Sequence, residues 1–157
     1  MTRPPAPDPG TTVSPSGCTH FKLRRLMRRV SQRYDAELAA CGLKTTQYSL
    51  LSAVLRLGPL RPVDLAQAMT MEPSTLTRNL KPLAAAGWLA VGPGEDARSL
   101  LVAITPAGRE KRAEAQRRWR GAQTALNEAI GAAQVQALHV LIDDALERLA
   151  DTGDTDE

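Results

Sequence analysis

Residues 62–104 read PVDLAQAMTMEPSTLTRNLKPLAAAGWLAVGPGEDARSLLVAI, and the reading of this stretch decides the fold. PVDLAQAM opens with Pro62, suited to a first helical turn, and is long enough only for a short helix. After Thr70 a second helix is expected, starting near Glu72 and stopping at Gly87, with Pro73 tolerated in its first turn. Leu76, Leu80 and Leu83 fall on one side of it and suit a core, whereas Ser74, Thr75, Thr77, Arg78 and Lys81 are polar. Pro82 sits inside this helix. It removes the hydrogen bond to the Arg78 carbonyl and is expected to kink or shorten the helix there. Two β-prone runs, Trp88–Val91 and Ser99–Ile104, flank GPGEDA and predict a hairpin with a turn rich in Gly, Pro and Asp.

Working outward, Leu23, Leu26, Met27, Val30, Tyr34, Leu38 and Cys41 recur at spacings of three and four, one face of an amphipathic helix that Gly42 ends. Tyr48, Leu51, Val54 and Leu55 mark another helix, starting after Thr45 and ending at Gly58-Pro59. Downstream, Thr105-Pro106 opens a long charged helix through Arg120 and on toward Ile130. A last helix carries Val135, Leu138, Leu141, Ile142, Ala145, Leu146 and Leu149 on one face. The predicted fold class is mainly α with a small β-hairpin wing.

The composition permits this. With 157 residues, one core is large enough to fold without metal or disulfide. Aromatics make up only 3%, so the core must be aliphatic. Net charge is +3, but its distribution is uneven: residues 22–33 hold six Lys/Arg and no acid, while 143–157 hold seven acids and one Arg. A basic surface for an anionic partner and an acidic tail away from it are expected. The first 17 residues, with five prolines before residue 16 and no apolar run, read as a disordered arm and not a leader. No apolar run reaches membrane-spanning length, and a cytoplasmic protein is expected. Two cysteines and two histidines, scattered along the chain, make no metal site or disulfide scaffold. There is no paired acid/base motif, phosphate loop or nucleophile elbow, so no catalytic residue, cofactor or enzyme activity is expected.

Short helix, tight turn, second helix and hairpin are the layout of a winged helix-turn-helix. Such a helix fits the DNA major groove, with its first turns toward base edges and its N-terminal dipole toward phosphate. The hydroxyls of Ser74, Thr75 and Thr77 are short enough for close approach, and Arg78 suits bidentate contact with guanine or phosphate. Arg98 on the hairpin suits the minor groove, with Asp96 placed to orient it. The competing readings are a capped, solvated helix start and a surface ion pair.

DLAQAM, PSTLTRNLKPLAAAGW and EDARSLLVAITPAGRE together resemble the MarR (multiple-antibiotic-resistance regulator) family, over about residues 18–150. The resemblance implies a homodimer in which the first and last two helices interlock, binding a palindromic operator in double-stranded DNA, usually as a repressor. It implies helical dimerisation segments at 18–44 and 105–150, a winged DNA-binding domain at 45–104, and a disordered acidic tail at 151–157. Carried over by position, Ser74, Thr75, Thr77, Arg78 and Lys81 belong to the recognition helix and Asp96 and Arg98 to the wing. Pro82 departs from the family pattern.

The resemblance also implies a small-molecule effector lodged between the first helices, the dimerisation helix and the winged domain. His20, Arg24, Tyr34 and Tyr48 are candidates for that pocket, and Arg and His beside apolar walls suit an aromatic carboxylate. Tyr34 and Tyr48 read equally as core, and the basic run 22–33 as a solvated face, a phosphate contact or an anion trap. An alternative regulator is a redox switch at Cys18, whose thiol lies near a helix start with His20 and several Arg close by. One branch of the family senses organic hydroperoxides through such a cysteine. Counted back from Gln47-Tyr48, Cys18 falls about two positions earlier than that branch's cysteine, and an inert thiol is the competing reading. Cys41 reads as packing, and His139 as capping or packing within the last helix.

Overall fold

The computed structural model describes residues 16–94 and 100–151. The segments expected to be a disordered arm and tail fall almost wholly outside these residues. In chain order the elements are α1 (Thr19–Leu38), a 3-10 turn (Ala39–Cys41), α2 (Thr45–Leu57), α3 (Pro62–Ala68) and α4 (Pro73–Ala85). Then come β1 (Leu89–Pro93), β2 (Leu100–Ile104), α5 (Pro106–Ile130) and α6 (Ala132–Asp151). The fold is mainly α with one antiparallel hairpin, as its sequence periodicities require.

Local chemistry sets the joints. Gly42, at φ 71°, ends the first helical segment in the left-handed region open to glycine. α2 begins where Asp35 of α1 accepts from both the Thr45 N–H (2.7 Å) and its hydroxyl (2.6 Å), so one carboxylate caps the next helix. Gln47 completes this start by accepting from the Lys44 N–H at 2.9 Å. Thr105 caps α5, accepting from Gly108 N–H (3.0 Å) while its hydroxyl donates to the Gly87 carbonyl (2.7 Å). That bond ties the end of α4 to the start of α5. Gly108 is required: a Cβ there would collide with the Trp88 carbonyl oxygen.

The core is aliphatic, as the scarcity of aromatics demands. Leu38, Leu50, Leu51, Val54, Leu65, Leu76, Leu83 and Val102 are fully buried, drawn from α1 to α4 and β2. The hairpin runs in register from Leu89↔Ile104 to Pro93↔Leu100. Leu60 adds a single bridge on its other edge, exchanging backbone bonds with Val102 at 3.2 and 2.8 Å. The segment between α2 and α3 is thereby stitched to the wing.

The structure narrows the expectation at Pro82 to one without shortening, and it corrects another. α4 is not shortened at Pro82; it continues to Ala85, and the Pro82 carbonyl accepts from Ala86 N–H at 3.0 Å. A helix-interior proline costs about 3 kcal/mol. Burial of Leu80 and Leu83, one on each side of it, contributes about 1.5–3 kcal/mol each and outweighs that cost. Arg78, whose carbonyl loses its partner, is an exposed residue. The correction concerns His139, which is exposed on α6 and not packed.

Candidate nucleic-acid interface

α4 is seated by its leucines and presents the rest outward. Leu76, Leu80 and Leu83 are buried, while Ser74, Thr75, Thr77, Arg78 and Lys81 are all exposed. The structure therefore gathers the five polar candidates on the free side of one helix. They are not equivalent. The Thr77 hydroxyl donates to the Pro73 carbonyl at 2.9 Å, which leaves only its lone pairs outward, suited to a base amino group and not to a phosphate. Asn79, which sequence reasoning passed over, donates to the Thr75 carbonyl at 2.8 Å from a half-buried position.

The turn before α4 is tight. Thr70 adopts φ 50°, unusual for a β-branched residue, and Met71 N–H bonds the Ala66 carbonyl at 2.8 Å. At the head of α3, Arg61 forms a two-pronged bond to Asp64, 2.8 Å on each arm. That bond holds the Asp64 carboxyl below its ordinary pKa and the Arg61 guanidinium above its own. Both are largely exposed, and the pair's stabilising value is small. An R-x-x-D spacing at a helix start was the available signal for it. Asp96 and Arg98 lie outside the described residues.

The other candidates divide into two groups. His20 and Arg24 are exposed near the start of α1, ten or more residues before Tyr34, which places them roughly 15–20 Å away along the helix. One protomer does not bring the four together. Tyr34 and Tyr48 do converge, both on Trp119 of α5, with ring centroids at 6.0 and 6.1 Å. Tyr34 donates to Gln123, and burial raises its phenol above the usual pKa. Beside Tyr48 an open cleft of about 630 Å³ is lined by Ser52, Arg56, Met69, Arg112 and Trp119 among others. Arg112 lies over the Tyr48 ring at 5.8 Å, donating to Ser52 (3.2 Å) and Gln116 (2.7 Å). Arg112 and Trp119 were missed in the sequence because neither stands near Tyr48 in the chain.

The basic run of α1 is exposed throughout. Cys18 is exposed at the head of α1 and Cys41 is buried. Among the described residues, no group of three His, Cys, Asp or Glu is placed to hold a metal ion. Among the described residues, no helix is long and apolar enough to cross a membrane.

The chain was compared with known proteins. A family model described as MarR family matches residues 42–99, from the start of α2 into the wing. The multiple antibiotic resistance protein MarR of Salmonella typhimurium is 32% identical over 91 residues, 55% of this chain and 63% of that protein. The HTH-type transcriptional regulator YwoH of Bacillus subtilis is 28% identical over 90 residues, 57% of this chain and 66% of that protein. The match thus spans just under two thirds of these curated relatives. Among solved structures, the M. tuberculosis transcriptional regulator MosR in complex with DNA is 31% identical. It has a TM-score of 0.71 and coverage of 85% of this chain and 98% of that one. A MarR variant from E. coli complexed with operator DNA shares the fold at TM-score 0.74 and 20% identity, covering 81% and 92%. With the family model spanning the helix-turn-helix into the wing and the 31% likeness to MosR spanning 85% of its length, the chain belongs to the MarR family.

Proposed function

We propose that the protein is a sequence-specific DNA-binding transcriptional regulator, a homodimeric repressor that leaves its palindromic operator when a small effector binds. The observation that carries this reading is α4, whose exposed Ser74, Thr75, Arg78 and Lys81 stand opposite a buried leucine face. The solved MosR and MarR relatives in complex with DNA support it. Asp96 and Arg98 enter this reading as the minor-groove contacts that the family resemblance implies.

Association follows from the two ends of the chain. On α1, Leu23 and Met27 lie on the same stripe as buried Tyr34 and Leu38, yet are 52% and 66% exposed. On α6, Leu141 and Leu146 are 65% and 62% exposed. Helices 18–44 and 105–150 are the dimerisation region, and a second copy covers these stripes.

The effector is an aromatic carboxylate held in the cleft beside Tyr48. Trp119 and Tyr48 offer ring faces, and Arg112 exchanges Ser52 for the carboxylate. Because the cleft joins α5 to α2 and the end of α3, occupancy alters the angle between dimerisation helices and reading head. His20 and Arg24 join such a pocket only if the partner's α1 supplies them.

The test is binding to DNA from upstream of the protein's own coding region, across salt concentrations and with or without benzoate-type acids. Affinity is expected to fall with a log–log slope of about −0.9 per phosphate contacted. Arg78→Ala should weaken specific binding by about tenfold or more while leaving the melting temperature unchanged. Equal binding by Arg78→Ala and the native protein would refute the assignment of α4. Release by peroxide and not by any acid, abolished in Cys18→Ser, would shift regulation to the thiol.

A further inference from the structure

The exposed side of α4 changes character halfway along. At 100° per residue, Ser74, Arg78 and Pro82 follow one another a turn apart, each four residues on, and Ala85 lies beside that line. All four are exposed, and Leu76, Leu80 and Leu83 face the other way. Along this line the first two turns carry hydrogen-bonding groups and Pro82 with Ala85 an apolar patch, with Lys81 at its edge. Pro82 adds a rigid ring with no N–H at a position where the helix tolerates it only through the burial of its neighbours.

We infer that Pro82 is a specificity-determining residue, reading the 5-methyl group of a thymine in the major groove. The inference rests on α4 being the base-reading helix. In that groove thymine alone presents an apolar group, and an apolar side chain is its complement. A proline ring meets it without freezing a rotamer, since the ring has almost no side-chain freedom to lose. Four residues of helix advance about 6 Å, against 3.4 Å per base along a strand. The thymine therefore lies about two base steps from the base contacted by Arg78.

The experiment replaces each thymine of the bound upstream fragment, one palindromic pair at a time, with deoxyuridine, which pairs identically and lacks only the methyl. The native protein should bind one such substituted fragment about fourfold more weakly per half-site, the value of one buried carbon unit. The position should lie about two steps from the base whose change Arg78→Ala ignores. Pro82→Gly, which restores the N–H, removes the apolar side chain altogether and still has a better helix propensity than proline, should fold normally and bind both fragments alike at that position. Pro82→Val, apolar but with an N–H, should recover the discrimination. Indifference of the native protein to every substitution overturns the inference while leaving DNA binding intact, as does discrimination retained by Pro82→Gly. Failure to bind any upstream fragment specifically overturns the reading of α4, and Pro82 with it.

Discussion

The winged region and the terminal helices solve the same problem differently. From α2 to β2 each apolar stripe finds its cover inside the chain: Leu51 and Val54, Leu65, Leu76 and Leu83, and Val102 all close on one another. α6 carries an equally regular stripe, yet of its residues only Val135 is buried. α1 is divided between these conditions, covered from Tyr34 onward and bare at Leu23 and Met27. An amphipathic helix gains most of its stability from burial of its stripe, not from intrinsic propensity. The winged region therefore holds itself together, whereas the terminal helices leave apolar stripes that the proposed second copy would cover. The cleft beside Tyr48, where the proposed effector would sit, lies where the two regions meet.

The largest expected effect is on association. Leu141→Glu with Leu146→Glu should raise the dimer dissociation constant by at least about 100-fold, because a symmetric interface feels each change twice. Analytical ultracentrifugation measures this, and an unchanged sedimentation profile would remove α6 from the interface. DNA binding should fall with it while the winged region stays folded. Next in size is Gly108→Ala, which breaks the self-contained region at its seam with α5. The new methyl meets the Trp88 carbonyl, and thermal unfolding should show a loss of about 3 kcal/mol. A smaller loss would mean that the seam is loose enough to shift. Smallest is Asp35→Ala, which removes the carboxylate that α1 lends to the head of α2, at about 1–2 kcal/mol in urea unfolding. Should dimer affinity drop as well, the boundary between the two regions runs through α1 and not after it.

Much of the reading head was legible because its signals are local. Hydroxyls and Arg78 alternate with leucines at helical spacing, Gly87 stops the helix, and Thr105-Pro106 starts the next; each acts within a few residues. Pro82 shows where local reasoning fails. Its cost is local too, but the leucines that outweigh it gain their burial from α2 and the hairpin. The cleft was half visible. Tyr48 stood out as an aromatic in an aromatic-poor chain, but Arg112 meets Ser52 across 60 residues of sequence, and no periodicity reports such a pairing. His20 and Arg24 share a helix with Tyr34, and sequence proximity suggested a pocket that the length of α1 pulls apart within one protomer.

The sequence by itself determined the order of helices and hairpin, the leucine face that α4 turns to the core, and the five polar residues that α4 presents. Those follow from backbone periodicity and capping, which act over one or two turns. Only the tertiary structure decided that α4 continues past Pro82, that Trp119 and Arg112 join Tyr48, and that the stripe of α6 goes uncovered within its own chain. These depend on which apolar surfaces meet at long range, and burial free energy, unlike hydrogen-bond geometry, carries no mark of its partner in the local sequence.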